Sequence, residues 1–533
     1  MPPALELPDD VETLKRLLVE ERAARRVDQA QIQSLKLQLA YLKRQQYGRS
    51  SEQLSEQIAQ LELTLEDLEA AATEAVVSPD EPAAHEKRTR RPLPAHLPRE
   101  NRIHNPLPEG DSCPSCGGGM KTLGEDVSEM LEYLPSRFKV IRHVRPKLAC
   151  ARCDKIVQAA APSRPISRGL AGPGLLAHVL VSKYADHLPL YRQSQIFARS
   201  GIDLDRSTLA DWVGGAHGLL TPLVQALSEH VLAGTHLHAD DTPYPVLAPG
   251  TGKTKIARIW TYVRDERSWG SEVPAAVLFR YTPDRKGIHP QTHLSHFKGA
   301  LHADGYAGFD RIFESGRIRE IACWAHARRK FFDLFEATAS PIAKEALDRI
   351  GALYGIESEI RGKPPDERRA VREARAGPLL EDLRAWLSGT MRQLSKKSDA
   401  SGAIRYTLSR WDALSRYLGD GRAEIDNNCA ERALRTIALG RKNHLFAGAD
   451  TGGERAAGIY SLIGTAKLNE MDPEAYLRHV LERIAEHPIN KVDRTATLVL
   501  RGQSCSHLIS CLTLTRRALE APFGPAIPGN IHA

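Results

Sequence analysis

Apolar side chains recur at alternating steps of three and four near the start of the chain, at Val11, Leu14 and Leu18 and again at Ile32, Leu35, Leu39 and Leu42. That spacing is a heptad seam and predicts helix. Glu21, Arg25 and Asp28 fall on the same stripe, where they weaken a long zipper or fix its register. After Gly48-Arg49-Ser50 a second run, Leu54, Ile58, Leu61, Leu65 and Leu68, follows out of phase with the first. Two short coiled coils or a helical hairpin, serving self-association, account for both runs; amphipathic helices packed on their own domain would give the same pattern. Pro79, Pro82, Pro92, Pro94 and Pro98, set among charges, then end the periodicity and read as a linker.

Past the linker the period changes. SEMLEYLPSRFKVIRHVRPKLAC alternates as strands do. From Gly174 to Gly215 the pattern turns helical, with two short amphipathic segments around Ser200-Gly201-Ile202 and Asp205 or Ser207 available to cap the second. A helix-turn-helix fits, whose second helix would present Arg206, Ser207 and Thr208 to a DNA groove. A plain helical hairpin with a glycine turn fits as well. After Gly234 the chain becomes strand-like.

Length and charge then narrow the picture. At 533 residues the chain exceeds one ordinary core and should divide into about three to five folded units. The net charge of +7 is modest for that length, but from Lys87 to Arg168 there are 16 basic residues against 8 acidic ones. That stretch opens with KRTRRPLP, an arm able to neutralise phosphates, although an ordinary solvated linker face has the same composition. The first residues lack the cationic start and apolar run of a secretory signal, and no apolar stretch approaches the roughly 18 residues of a membrane helix. The expectation is a cytoplasmic, nucleoid-associated protein without a membrane partner, its eight cysteines reduced.

Reduced cysteines at close regular spacing are metal ligands before they are disulfides. Cys113 and Cys116 in CPSCGGG form one knuckle, and Cys150 and Cys153 in CARC a second. Two such knuckles complete a tetrahedral thiolate cage with no open coordination position, so one structural Zn2+ is expected; iron or a redox pair are the other uses of this spacing.

Three acidic positions stand out in the strand-like half: Asp240, with Asp241 beside it, at the end of the alternating run in THLHADDTPYPVL; Asp304 in KGALHADGYAGF; and Glu431 in DNNCAERALR, at the start of a helix that Asp426, Asn427 or Asn428 could cap. Carboxylates from two strand ends and one helix can converge at a sheet edge, the arrangement a two-metal phosphoryl-transfer site needs. Hard oxygen ligands suit Mg2+, two ions of it, or Mn2+. His236, His238 and His302 lie beside these aspartates and would suit a softer metal, but histidines on a strand face are commonly structural. Taken singly, each acidic residue also has an ordinary reading: Glu431 with Arg435 is an i to i+4 helix pair, and Asp304-Gly305 a turn.

The ordered set CPSCGG with CARC, KYADHLPLYRQ, HADDTP, LHADGYAGF, CWAHARRKFF, IDNNCAERALR and SLIGTAKLNEMDPEAYLRHVLERIAEHPIN resembles the insertion sequence sixty-six family of bacterial transposases, TnpC type, through about Asn490. The resemblance implies an α/β RNase H-like catalytic core (232–450) with a helical insertion (337–405), and a DDE triad on Asp240, Asp304 and Glu431. Around that core it implies N-terminal modules: a coiled coil (1–75), a Pro-rich basic linker (76–105), a zinc ribbon (106–168) and a helix-turn-helix (170–220). A C-terminal helical segment (455–492) and an atypical tail (493–533) follow. It implies double-stranded DNA as partner, both element ends and target, with Arg328, Arg329 and Lys330 near its phosphates. A homo-oligomer and accessory proteins of the same element are implied too. The expected activity is nicking of the element ends and joining of the freed 3′-hydroxyl to target DNA; a nuclease or resolvase without joining, or a DNA-binding protein that no longer cuts, are the alternatives. Two departures from the family are Asp241, where Glu is usual, and the tail.

Overall fold

The computed structural model describes residues 93–484, apart from 108–111, 135–136, 167–168, 249–252, 442 and 444–445. The expected coiled coils, most of the linker and the tail lie outside the described residues.

The first sheet contains β1 (Arg99–Ile103), β2 (Met120–Leu134), β3 (Arg137–Cys150) and β4 (Ile156–Gln158). β2 and β3 make one long antiparallel hairpin that pairs Leu134 with Arg137 at its turn and Met120 with Cys150 at its far end. Burial along β2 is graded. Lys121–Glu125 are exposed, whereas Met130, Leu131 and Glu132 are buried. The turn end thus packs into the main core, through Leu131, Phe138 and Val140, while the far end has no apolar partner and must be held by other means.

Helices α1 (Pro173–Tyr184), α2 (Leu190–Arg199) and α3 (Arg206–Leu232) follow. Gly201 takes a positive φ of 73° in the turn between α2 and α3, which only a residue without a side chain adopts freely. The expectation of two short segments holds for α2 and fails for α3, which continues for 27 residues through Gly214-Gly215 and Pro222. Its buried side chains, Leu209, Val213, Leu220, Leu223, Leu227 and Val231, keep helical spacing across those weak positions, so packing overrides local propensity. Asp205 stands at the N-cap without a side-chain capping bond.

The second sheet has five strands, β5 (His236–Ala248), β6 (Lys253–Arg264), β7 (Ala276–Thr282), β8 (Gly299–Ala303) and β9 (Ile318–Ala322), in the order β7-β6-β5-β8-β9. β6 runs antiparallel to both its neighbours, β5 and β7, and β8 and β9 run parallel to β5. Short helices α4 (Ile288–His293) and α5 (Asp310–Glu314) flank β8 along the chain.

A helical region then interrupts the sheet half: α6 (Trp324–Thr338), α7 (Pro341–Ile360), α8 (Pro365–Val371), α9 (Gly377–Gln393), α10 (Asp399–Ser409) and α11 (Trp411–Ser415). These helices share a separate core around Trp324, Phe331, Ile350, Leu353, Leu383 and Trp411. Inside it lies Arg372, fully buried, bidentate on Glu357 at 2.8 and 2.6 Å and donating to the carbonyls of Tyr417, Asp420 and Ala423. A buried guanidinium is tolerable only when its donors are used in this way, and three of them fasten the segment that leaves the helical region.

Three helices close the described chain: α12 (Asn428–Gly440), α13 (Asp450–Leu468) and α14 (Pro473–Arg483). α13 is buried nearly all round. Gly453 and Gly464 let it approach Tyr281 and Val277 of β7 closer than any side chain would permit. On that edge strand the N–H groups of Val277 and Phe279 donate to the Thr465 and Ser461 hydroxyls, so the helix satisfies an edge that would otherwise pair with another chain.

Candidate active site

β8 pairs with β5 only at His236–His238. Asp240 therefore lies just beyond the parallel pairing, and Asp304 directly follows the last residue of β8. The two aspartates share the carboxyl edge of neighbouring parallel strands, where open α/β sheets leave a crevice. β5 itself runs on to Ala248, so Asp240 and Asp241 stand in mid-strand and not at a strand end as expected. Pro243 and Pro245 are tolerated there because β8 no longer pairs along that side.

Glu431 sits in the first turn of α12. Its Oε2 accepts from the Arg329 guanidinium at 3.1 Å, and its Oε1 lies 3.6 Å from His326 Nδ1. Burial, with the charges of Asp304, Asp241 and Glu431 nearby, pushes the Asp240 carboxyl up to about 7. The three carboxylates singled out in the sequence are thus electrostatic neighbours, and a cluster of like charges in a half-buried crevice is relieved by a proton or by a cation.

Asp241 turns away from this cluster. It is bidentate with Arg285, at 2.8 and 3.1 Å, and pairs with Arg258 at 3.1 Å. The Arg285 guanidinium lies 4.0 Å over the ring of Tyr306. The Tyr306 hydroxyl donates to the Arg285 carbonyl, and its backbone N–H donates to Asp304 Oδ1 at 3.0 Å. A chain of contacts therefore runs from the neighbour of the first aspartate to the carboxylate of the second. From the helical side, the Tyr406 hydroxyl donates to the Asp304 carbonyl at 3.2 Å, and Arg410 bridges the Gly305 carbonyl and Glu320. Gly305, at φ 88°, has Arg410 packed where a Cβ would be.

The position of α12 is set by buried imidazoles. The His238 ring meets Asn427 Oδ1 at 3.1 Å, and Asn427 Nδ2 donates to the Ala239 carbonyl at 2.8 Å. The Glu424 N–H donates to His302 Nε2, and His236 meets Asp420. Burial lowers His238 to about 4 and His302 well below its ordinary value, so both rings are neutral. All three histidines thus fasten residues 420–427 to β5 and β8. Asn427 is the N-cap residue by position, but its side chain serves the strands; Asp426 accepts from the Asn428 N–H instead.

A cleft of about 490 Å³ adjoins Glu431, lined by Ala325, Arg328, Arg329, Phe332, Tyr354 and Asn428. Arg328 stacks toward Phe332, and the Lys330 ammonium lies 4.6 Å over Tyr406. Arg206, Ser207 and Thr208 occupy the first turn of α3 and are half-buried. Sequence reasoning missed Arg285, Tyr306, His326, Tyr406 and Arg410. Arg285 in TPDRKG reads as a turn residue, and His326 lies inside CWAHARRKFF, where only the basic residues drew notice.

At the far end of the β2–β3 hairpin the four cysteine ligand atoms lie within 4.8 Å of one another, with Sγ to Sγ separations of 3.5 Å for Cys113 and Cys153 and 3.4 Å for Cys116 and Cys150. Backbone N–H groups of Ser115 and Cys116 draw the Cys113 thiol down to about 6. Thiolates so placed fit a structural zinc, which also explains how an exposed hairpin end is held. Among the described residues no helix is long and apolar enough to cross a membrane.

Comparison with known proteins agrees with this division. Residues 168–455 match the family described as Transposase IS66 family, 111–154 the zinc-finger binding domain of transposase IS66, 34–102 Transposase C of IS166 homeodomain and 461–494 the IS66 C-terminal element. Two chains of Sinorhizobium fredii are similar over most of their length. Uncharacterized protein y4hP is 42% identical across 86% of this chain and 87% of its own, and Uncharacterized protein y4jD 37% identical across 90% and 94%.

Proposed function

The chain belongs to the IS66 transposase family, and from that premise we propose that it nicks the ends of an insertion element and joins the freed 3′-hydroxyl to target DNA through Asp240, Asp304 and Glu431. The observation that carries this reading is the placement of Asp240 and Asp304 at the carboxyl edge of the neighbouring parallel strands β5 and β8, with the charge of Glu431 on α12 close enough to help raise the Asp240 carboxyl. The strand order β7-β6-β5-β8-β9, three antiparallel strands followed by two parallel ones, supports an RNase H-like core. Asp240, Asp304 and Glu431 would hold Mg2+ or Mn2+, and such ions, when bound, activate the attacking oxygen and stabilise the leaving one.

The chain's own residues do the rest. Arg285 and Tyr306 orient the Asp304 carboxylate, and the buried histidines and Asn427 fix the helix that carries Glu431. Arg328, Arg329 and Lys330 face the DNA phosphates around the cleft. Arg206, Ser207 and Thr208, at the start of α3, act as the reading end of a helix-turn-helix. The cysteine cage, loaded with one zinc, stiffens the ribbon. Residues 1–75 pair copies of the chain so that two element ends are brought together, with accessory proteins of the element as further partners.

The test is incubation of the purified chain with a labelled element end, target DNA and Mg2+. Nicked and joined strands are expected from the parent. Nicking without joined product would reduce the reading to a nuclease, and end binding without nicking would remove the catalytic assignment.

A further inference from the structure

Beside Glu431 lies a second set of metal-ligand atoms that the carboxylate chemistry does not use. Cys323 ends the connection from β9, and His326 lies in the first turn of α6. Their ligand atoms and a carboxylate oxygen of Glu431 fall within 4.8 Å of one another. His326 Nδ1 and Glu431 Oε1 are both buried atoms without a hydrogen-bond partner, and they face each other at 3.6 Å. That is too long for a hydrogen bond. Two buried, unsatisfied polar atoms aimed at one point mark a place for a ligand. Cys323 Sγ already accepts the Asn427 N–H at 3.2 Å, the kind of outer bond that steadies a metal-bound thiolate.

We propose that Cys323, His326 and Glu431 form a binding site for a soft divalent cation of the zinc class. Sulfur, imidazole nitrogen and one carboxylate oxygen are the donor set that selects such ions over Mg2+. Tetrahedral zinc needs ligand atoms roughly 3.3–3.8 Å apart, so the trio closes by small side-chain rotations. Arg329 holds Oε2, leaving Oε1 for the ion. Occupancy withdraws Glu431 from the three-carboxylate set, so zinc binding switches cutting off. That consequence rests on the proposed role of Glu431; the metal site itself does not.

Equilibrium dialysis of the full chain against micromolar Zn2+ tests the site without reference to activity. The parent should hold about two zinc ions per chain, one in the four-cysteine cage and one here, while Cys323→Ser and His326→Ala each hold about one. Equal zinc content in parent and variants overturns the proposal. Should Cys323→Ser fail to fold, the His326→Ala comparison decides in the same way. On an element end in Mg2+, added Zn2+ should slow the parent at least about tenfold and change Cys323→Ser little, each measured against itself without zinc. The same zinc sensitivity in both overturns the switch. If the parent never cuts, a zinc difference in dialysis still upholds the site, and the failure belongs to the proposed role of Glu431.

Discussion

The four-cysteine cage and the three-carboxylate crevice are assembled in opposite ways. The cage is local. Each knuckle spans four residues, and one hairpin brings the two knuckles together. Its end of the sheet is exposed and has almost no apolar packing. The crevice draws on β5, the loop after β8 and the start of α12, which are 64 and 127 residues apart by the numbers of Asp240, Asp304 and Glu431. The fold around it is well packed and holds it through Arg285, Tyr306, Tyr406, Arg410 and Asn427. On the function proposed above, the ion makes the structure in the first case, and in the second the structure makes a place for the ion.

The sharpest way to break that contrast is to remove ligands from the crevice. Asp240→Asn, Asp304→Asn and Glu431→Gln should each lower nicking and joining on the order of 10³-fold or more. Each should leave end binding and the thermal transition nearly unchanged, since the crevice does not hold the fold together; Asp240→Asn and Asp304→Asn should also keep their zinc, whereas Glu431→Gln should lose the second ion proposed above. Loss of folding in all three variants, judged by circular dichroism, would show that the crevice is structural.

The converse experiment comes next. Cys113→Ser and Cys150→Ser should lose the ribbon zinc and unfold the hairpin's far end, because zinc binding and folding are one equilibrium in such modules. The turn end, with Leu131, Phe138 and Val140 in the main core, should survive, as should the five-stranded sheet. Proteolysis confined to residues 112–160 would report this. A variant that keeps both its zinc and its protease resistance would remove the cage from the account.

These differences also decide what could be read from the sequence. The cage was legible because its ligands sit in two short motifs whose spacing is itself the geometry. Asp240, Asp304 and Glu431 were individually weak and were joined only through resemblance, since nothing local says that β5 and β8 are neighbours. The braces were invisible. Arg285 looked like a turn residue, and Asn427 looked like a helix cap, while its side chain is in fact buried against β5. The helical pattern read from the sequence stops at Gly215, whereas α3 runs on to Leu232 because long-range packing outweighs the weak positions Gly214-Gly215 and Pro222.

A smaller effect measures how far the fold holds the crevice. Arg285→Ala should slow cutting about 10- to 100-fold, the usual cost of losing an outer partner of a metal ligand. Strand alternation by itself predicts a mild effect for Asp241→Ala, because adjacent side chains face opposite ways; the pair with Arg285 and Arg258 leads instead to an effect as large as that of Arg285→Ala. Arg285→Lys should restore little, because an ammonium cannot bind a carboxylate bidentately while stacking on Tyr306. Weaker Mg2+ affinity in all three variants, measured by calorimetry, would accompany the loss. Unchanged Mg2+ affinity would separate Arg285 from Asp304.

Acid should separate the two regions by the smallest margin. Burial, with Arg280 nearby, lowers His293 in the sheet half to about 3, and its Nδ1 shares a hydrogen bond of 2.9 Å with the Tyr262 hydroxyl. The folded chain therefore keeps this ring neutral, while the unfolded chain protonates it below about 6.5. Between those values the unfolded state binds the extra proton, so stability is complete above pH 6.5 and is lost as pH falls toward 3, by at most about 1.4 kcal/mol per pH unit for this one group. His293→Gln keeps a hydrogen-bond partner for Tyr262 and removes the titration. Its urea midpoint should fall less than the parent's between pH 7 and pH 5, the remaining slope coming from the other buried histidines, His238 and His302 among them. The cage responds to the same acid by a different route, protonation of thiolates and release of zinc, which His293→Gln should leave untouched. Equal urea slopes in parent and variant would mean that His293 is protonated in the folded chain, and a shift in zinc release would mean that the two regions are coupled rather than independent.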